Sequence, residues 1–184
     1  MRQWIPQKSN NTARNMILLL FCGAFLLLAL TSVLGNISFR WGFQTVAILL
    51  LTAAVFLVTR YLTKLFTYRI EKDGEREGSY DLTVTESATN GKRAVTVCRI
   101  GLSHICSARL FDLSDGGASL AAWKAHKKGS KKIHDYRVDL SPTAFLLLTV
   151  KEGGETLYLL LSHEEELTEL LLRAAMDYRE EEEE

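Results

Sequence analysis

Two stretches of this 184-residue chain lack any charged side chain, and the first 60 residues lack any acidic one. The stretches run from Met16 to Leu34 and from Gly42 to Thr59. A helix needs about 20 apolar residues to cross a bilayer, and both runs approach that length. A cleavable signal segment has an apolar core of about 7–15 residues. The first run is longer, and a second follows after a short polar hinge, Gly35 to Trp41. Both are therefore read as retained helices of a membrane hairpin. With no Asp, Glu, Lys, Arg or His in the spans, they lack the groups that proton relays, ion pathways and voltage sensors need at depth. Two helices alone also enclose no pore.

Cysteine is scarce. Cys22 lies in the first span, and Cys98 and Cys106 lie beyond it without CxxC spacing or a histidine at metal-ligand distance. Such an odd, sparse set excludes a disulfide framework and reads as reduced thiols in a cytosolic compartment. The net charge of zero hides an asymmetry. Arg2, Lys8, Arg14, Arg40 and Arg60 give residues 1–60 a charge of +5, which leaves −5 on residues 61–184. A mildly acidic domain lacks the basic footprint that nucleic-acid phosphates demand.

Basic residues near span ends set orientation. Arg2, Lys8 and Arg14 precede the first span, Arg60, Lys64 and Arg69 follow the second, and the hinge holds only Arg40. Both termini are expected in the cytoplasm and the hinge outside, in the cell (plasma or inner) membrane. Trp41, Arg60, Tyr61 and Lys64 are candidate interface anchors around the second span. Small residues (Gly23, Ala24 and Ala29; Ala47, Ala53 and Ala54) allow close helix approach. The sequon Asn36-Ile37-Ser38 lies a few residues from the bilayer and is a chance match. The chain divides into a cytoplasmic segment (1–15), the hairpin (16–60, with spans 16–34 and 42–59), a domain (61–179) and an acidic tail (180–184).

After Arg60 the apolar period becomes two. Phe66, Tyr68 and Ile70 alternate with polar residues, as do Tyr80, Leu82 and Val84 after the turn-like Glu71–Ser79. Asn90-Gly91 is a hairpin signal, Arg93–Ile100 is strand-like, and Ile105–Leu113 resumes after a break at Gly101–His104. A polar loop is expected from Ser114 to about Lys132, with a short helical piece near Ala118–Trp123. Tyr136–Leu140 alternates again. Ala144–Val150 and Leu157–Leu161 are joined by a Gly153-Gly154 turn and are apolar on both faces, so something must cover the second face. Ser162–Glu165 reads as a capping box. It opens a helix whose Leu167, Leu170, Leu171, Ala174 and Tyr178 share one face and which ends near Arg179, before a frayed tail.

Seven strands and then one helix, behind a double span ending in Arg60-Tyr61, resemble the bacterial pleckstrin-homology-like (PH-like) membrane proteins. The strand Thr67–Ile70, the turn Leu102–Ile105 and the Leu157–Arg173 strand–helix ending carry the likeness. The resemblance implies an α+β class: a two-helix transmembrane hairpin, then a seven-stranded antiparallel β-sandwich or barrel with a C-terminal capping helix. It does not extend to phosphoinositide recognition, because the first hairpin loop mixes Lys72 and Arg76 with Glu71, Asp73, Glu75 and Glu77.

Lys124, Lys127, Lys128, Lys131 and Lys132 form the densest basic patch. Beside a membrane it is a candidate contact for anionic lipid; otherwise it is a solvated loop. None of His104, His126, His134 and His163 pairs with a His or Cys at zinc spacing, so no metal site is expected. Asp112, Ser114 and Asp115 before Gly116-Gly117 read as a turn, not a nucleophile site, since no nucleophile elbow is present. No phosphate-cradling loop implies a cofactor. The expected role is non-enzymatic: a membrane-tethered binding or assembly module. The alternatives are an accessory subunit of a larger membrane complex and, less well supported, a membrane enzyme. Expected partners are the membrane itself, anionic lipid, and a protein or second copy that covers the double-sided apolar strands.

Overall fold

The computed structural model describes residues 2–8, 10–33, 40–72, 79–88, 93–114, 118–129 and 132–183. The Asn36 sequon, most of the hinge, Asn90-Gly91, Asp115–Gly117 and Lys131 lie outside the described residues. The protein is mixed α+β: among the described residues are two N-terminal helices, two four-stranded sheets, a helix between strands of the second sheet and a C-terminal helix.

Helix α1 (Thr12–Val33) starts four residues before the apolar run and takes Arg14 into its first turns. Helix α2 (Arg40–Leu57) continues into a π-helical turn, Val58–Leu62. Mean hydropathy in the two spans is 2.6 and 2.1. Leu18, Leu19, Phe25, Leu26, Ile48, Leu49, Val55 and Phe56 are exposed. An apolar surface of this kind suits lipid, whereas the core helix of a soluble protein is enclosed. The helices meet along Ile17, Ala24 and Thr31 on one side and Ala47 and Ala54 on the other, each set spaced by seven. A seven-residue repeat keeps one seam facing its partner, and alanine there lets the backbones approach. Ala29 and Ala53 point away from this seam. The Thr31 hydroxyl, buried in the seam, donates to the Leu28 carbonyl.

Sheet A has strand order β1–β2–β3–β4: β1 (Arg2–Trp4), β2 (Lys64–Lys72), β3 (Tyr80–Ala88) and β4 (Ala94–Gly101), all antiparallel. A 3-10 turn, Leu102–His104, leads to sheet B. Sheet B has order β5–β7–β8–β6: β5 (Ile105–Asp112), β6 (Ile133–Asp135), β7 (Ala144–Glu152) and β8 (Glu155–Ser162). Helix α3 (Ala118–Gly129) falls between β5 and β6, and α4 (Glu165–Glu183) ends the chain. The β7–β8 turn places Gly153 and Gly154 at φ +56° and +83°, a region that glycine enters without steric cost.

Several expectations change. The sheets do not close into a barrel, and the described residues form eight strands, not seven. Residues 2–4, which fall in the expected N-terminal segment (1–15) and outside the expected domain (61–179), form β1 of sheet A, with Trp4 opposite Tyr68. Tyr136–Leu140 is not a strand. The fourth strand of sheet B is Ile133–Asp135, parallel to β8, so the fold is not wholly antiparallel. The alternation in 136–140 reflects real burial of Val138, but the Val138 amide donates to the Ser162 hydroxyl instead of a neighbouring strand. That same bond removes Ser162 from the capping box. The Glu164 carbonyl accepts the first helical amide, from Thr168, and His163 Nδ1 bonds Thr168 Oγ1 at 3.0 Å. Helix α4 runs on through the glutamates to Glu183.

One core joins the sheets and α4. Phe66, Tyr68, Leu82, Val84 and Ile100 from sheet A meet Leu146, Leu148, Val150, Leu159 and Leu161 from sheet B, sealed by Leu167, Leu171 and Ala175. A second, smaller core lies on the other face of sheet B, where Phe111, Phe145, Leu147 and Leu160 meet Ala122 and Trp123 of α3. The expected polar loop is thus a 12-residue helix. Its Trp123 and Ala122 supply the apolar stripe that the second face of β7 and β8 demands.

Candidate functional site

Two regions stand out: the joint between hairpin and domain, and the outer face of sheet B beneath α3.

At the joint, Arg60 in the π-helical turn reaches into the domain. Its Nη2 donates to the Asp135 carbonyl at 2.6 Å, and its guanidinium lies over the rings of Tyr61 (5.1 Å) and Phe66 (5.0 Å). The side chain is 19% exposed, so Arg60 serves as a latch between hairpin and domain. Asp135 also accepts a paired contact from Arg137 Nε (2.9 Å) and Nη2 (2.8 Å), a fork geometry that fixes both partners. The Lys8 ammonium donates to the Tyr61 carbonyl, and Asn10 Nδ2 donates to the Ser141 carbonyl at 2.6 Å. Lys64 pairs with Glu86 at 2.8 Å. Of the four anchors expected from sequence, Trp41 is the most open, 69% exposed at the start of α2.

Beneath the joint the two sheets share a buried polar hub. Tyr68 Oη donates to the Tyr136 carbonyl (2.9 Å) and accepts from the Ser162 amide (3.0 Å). Burial pushes the Tyr68 phenol up to about 12, against hydrogen bonds from Ser162 that lower it. Burial likewise raises Tyr136 to about 12 and lifts the Cys98 thiol above its ordinary value. These perturbed groups hold the fold together. Ser162, His163 and Asp139 line one small pocket, yet Ser162 accepts from Val138 and His163 bonds Thr168. Neither contact is the serine–histidine bond an activated nucleophile needs. Ser114 donates to Asp112 through both amide (2.9 Å) and hydroxyl (2.6 Å). These bonds hold the exposed Asp112 carboxyl below its ordinary range and make the pair a turn. Among the described residues no group of three His, Cys, Asp or Glu could hold a metal.

The second region follows from strand alternation. Ser107 and Thr149 are cross-strand neighbours on β5 and β7, as are Arg109 and Leu147, and Phe111 and Phe145. Helix α3 covers the last row, with Trp123 edge-on to Phe111 (5.8 Å) and Phe145 (5.1 Å). One turn on, His126 packs against Tyr158 at 5.0 Å. Between α3 and the open rows lies a depression of about 380 Å³ lined by Ser107, Ala108, Arg109, His126, Leu147 and Thr149. Arg109 also stacks on Phe111 at 5.0 Å. Sequence reasoning missed Arg109 and this use of His126. The signal for them was the alternation Ser107, Arg109, Phe111 on one strand face and the Trp123–His126 spacing on one helix face.

The lysine patch is divided by the fold. Lys124, Lys127 and Lys128 lie on the C-terminal half of α3, with Lys124 and Lys127 exposed. Lys132 is paired with Glu155 of the β7–β8 turn, which holds the Glu155 carboxyl below its ordinary range. The β7–β8 turn is the end of sheet B opposite Ser141, Ala144 and Ser162, and the hairpin joins the domain near Ser141. The nine residues of β7, Ala144–Glu152, run between the two ends, about 26 Å at about 3.3 Å per residue.

No protein-family model, no curated protein and no solved structure matches this chain.

Proposed function

We propose that this protein is a non-enzymatic, membrane-tethered binding or assembly module: a hairpin of two spans that carries a PH-like domain on the cytoplasmic side of a bacterial cell membrane. The observation that carries this reading is the joint. Strand β1 precedes the first span yet belongs to sheet A, and Arg60, Lys8 and Asn10 tie both ends of the hairpin to the domain. A tether that only anchors works with a flexible linker; one that presents a surface at a set height gains from a stiff joint. Retention of the first span is supported by β1, which would be lost with a cleaved leader. The cytoplasmic orientation draws on Arg2, Lys8, Arg14, Arg60, Lys64 and Arg69. The PH-like relationship draws on the meander β2–β3–β4, the second sheet and the closing helix in the core. Strands β1 and β6 and helix α3 stand as additions.

The test is purification of the full-length chain from its native membrane in mild detergent, with co-purifying proteins identified by mass spectrometry. A stoichiometric protein that stays when the spans are exchanged for an unrelated hairpin supports a module acting through its domain. A partner lost on that exchange makes the chain a subunit held by its helices. Turnover by the purified chain of any ester, phosphoester or glycoside in a substrate panel overturns the non-enzymatic reading.

A further inference from the structure

We propose that the depression between α3 and the outer face of sheet B binds a small phosphate ester. Arg109 and His126 supply cationic or donor groups from two different elements, and Ser107 and Thr149 add hydroxyls from two adjacent strands. Convergence of such donors from separate elements is what recognition of an oxyanion requires, and a guanidinium matches its geometry. Lys124 and Lys127 are exposed on the helix that forms the wall, and among the described residues no acidic one lines the depression. Glu155, on the neighbouring turn, is already neutralised by Lys132.

The volume, about 380 Å³, falls in the range of small-molecule pockets and leaves room for an organic group beside the phosphate. Leu147 offers that group an apolar floor. The row Arg109–Leu147 continues through Leu160 to Asp135, which Arg60 holds at the joint. A phosphate ester is the chemistry that a free metabolite and a lipid headgroup share, and the two lipid compositions in the test separate these sources. The proposal deepens the binding-module reading and rests on it.

The test uses the full-length chain in nanodiscs of zwitterionic lipid, titrated with phenyl phosphate and followed by calorimetry and by NMR of the His126 ring. Saturable binding with movement of the His126 resonances is expected. Arg109→Gln and His126→Gln should each weaken it at least about tenfold, in line with the loss of one charge-assisted hydrogen bond, while Lys72→Gln leaves it unchanged. Circular dichroism of each variant confirms that it is folded. Arg109 is exposed, so its variant keeps the test decisive if His126→Gln disturbs α3. Binding indifferent to both substitutions overturns the proposal, as does no saturable binding at about 10 mM together with a His126 ring unmoved in nanodiscs with phosphatidylserine. Movement of the His126 ring in nanodiscs with phosphatidylserine but not with phenyl phosphate supports it and names a lipid source. A domain-bound protein partner that persists while phenyl phosphate and phosphatidylserine both fail would end the ligand proposal and leave the module reading standing.

Discussion

Sheet A and sheet B are built from strands of similar length, yet they solve opposite problems. Sheet A buries apolar side chains on one face only, although Asp81, Thr83 and Thr85 on the other face of β3 are buried too. Leu82 and Val84 enter the core while Asp81, Thr83 and Thr85 point the other way, among Thr67, Arg69 and Arg99 on the flanking strands. Asp81 and Arg99 close a 2.7 Å ion pair there. Sheet B buries both faces, α4 against Leu146 and Leu159, and α3 against Phe145 and Leu160. Apolar residues in unbroken runs therefore signal burial on two sides, and in this chain a second helix provides the second cover. The double-sided strands need no outside partner to explain them, and a docking surface is better sought beside α3 than beneath it.

If sheet B is the stiffer half, damage there should cost most. Phe145 stacks on Phe111 at 5.3 Å, meets Trp123 and lies under the Arg137 guanidinium at 4.9 Å. Phe145→Ala is expected to destabilise the domain by about 3–5 kcal/mol, the usual cost of deleting a buried ring. Tyr80→Ala, on a half-exposed strand end of sheet A, is expected to stay within about 0.5 kcal/mol. Denaturant titration in mild detergent, followed by tryptophan fluorescence, compares the two. Equal losses would dissolve the contrast.

The hub that joins the sheets gives the next effect, and it depends on pH. Tyr68 has a folded pKa raised to about 12 from 10.0. Between those values the folded chain keeps a proton that the unfolded chain has released. Stability is therefore fully present below about pH 10 and is lost as pH rises toward 12. Each tenfold difference in proton affinity between the folded and unfolded chain is worth about 1.4 kcal/mol, so the loss from Tyr68 approaches about 2–3 kcal/mol. Tyr68→Phe should cost about 1–3 kcal/mol at neutral pH, because the Ser162 amide loses its acceptor. It should also flatten the alkaline decline, a change that a purely steric role would not produce. A wild-type decline unchanged in the variant would assign it to another group, with Tyr136 first in line.

Trp123→Ala tests the cover itself. Trp123 is half-buried, so the expected cost is about 2 kcal/mol, below that of a fully enclosed ring. Hydrogen exchange should rise in residues 118–129 and stay unchanged in α4. Faster exchange in both helices would mean that the two cores are one cooperative unit.

How much of this was open to reading from sequence depends on what carried the signal. The spans were legible because about twenty apolar residues in a row admit few other interpretations. Strands β2, β3, β5, β7 and β8 were legible because period-two alternation, or an apolar run ending in Gly153-Gly154, survives in the sequence. Arg2–Trp4 was not, since three residues display no period and their strand depends on β2, some 66 positions on, as Gln3 opposite Arg69 shows. Helix α3 was legible only in part. Its one apolar contact stripe is short, and its lysine-rich half reads as solvent-facing in any conformation. Ser162 misled because a cap and a strand end present the same residues, and only the Val138 amide decides between them. The depression beside α3 is assembled from β5, β7 and α3, so its residues share no local spacing.

The smallest expected effect is the sharpest on sheet A. Thr83 Oγ1 is buried on the outer face and has no hydrogen-bond partner, and the same holds for Nε of Arg69 directly across the strand pair. An unsatisfied buried hydroxyl is a cost, and replacing it with a methyl of similar shape removes that cost. Thr83→Val should thus be neutral or stabilising by up to about 1 kcal/mol, helped by the strand preference of valine. Loss of stability in the purified chain would show that the hydroxyl is satisfied in solution. A variant that is stable when purified yet loses a protein that co-purifies with the wild type would carry the contrast between the sheets into function: sheet B closed by its own helices, and sheet A's polar face kept for another molecule.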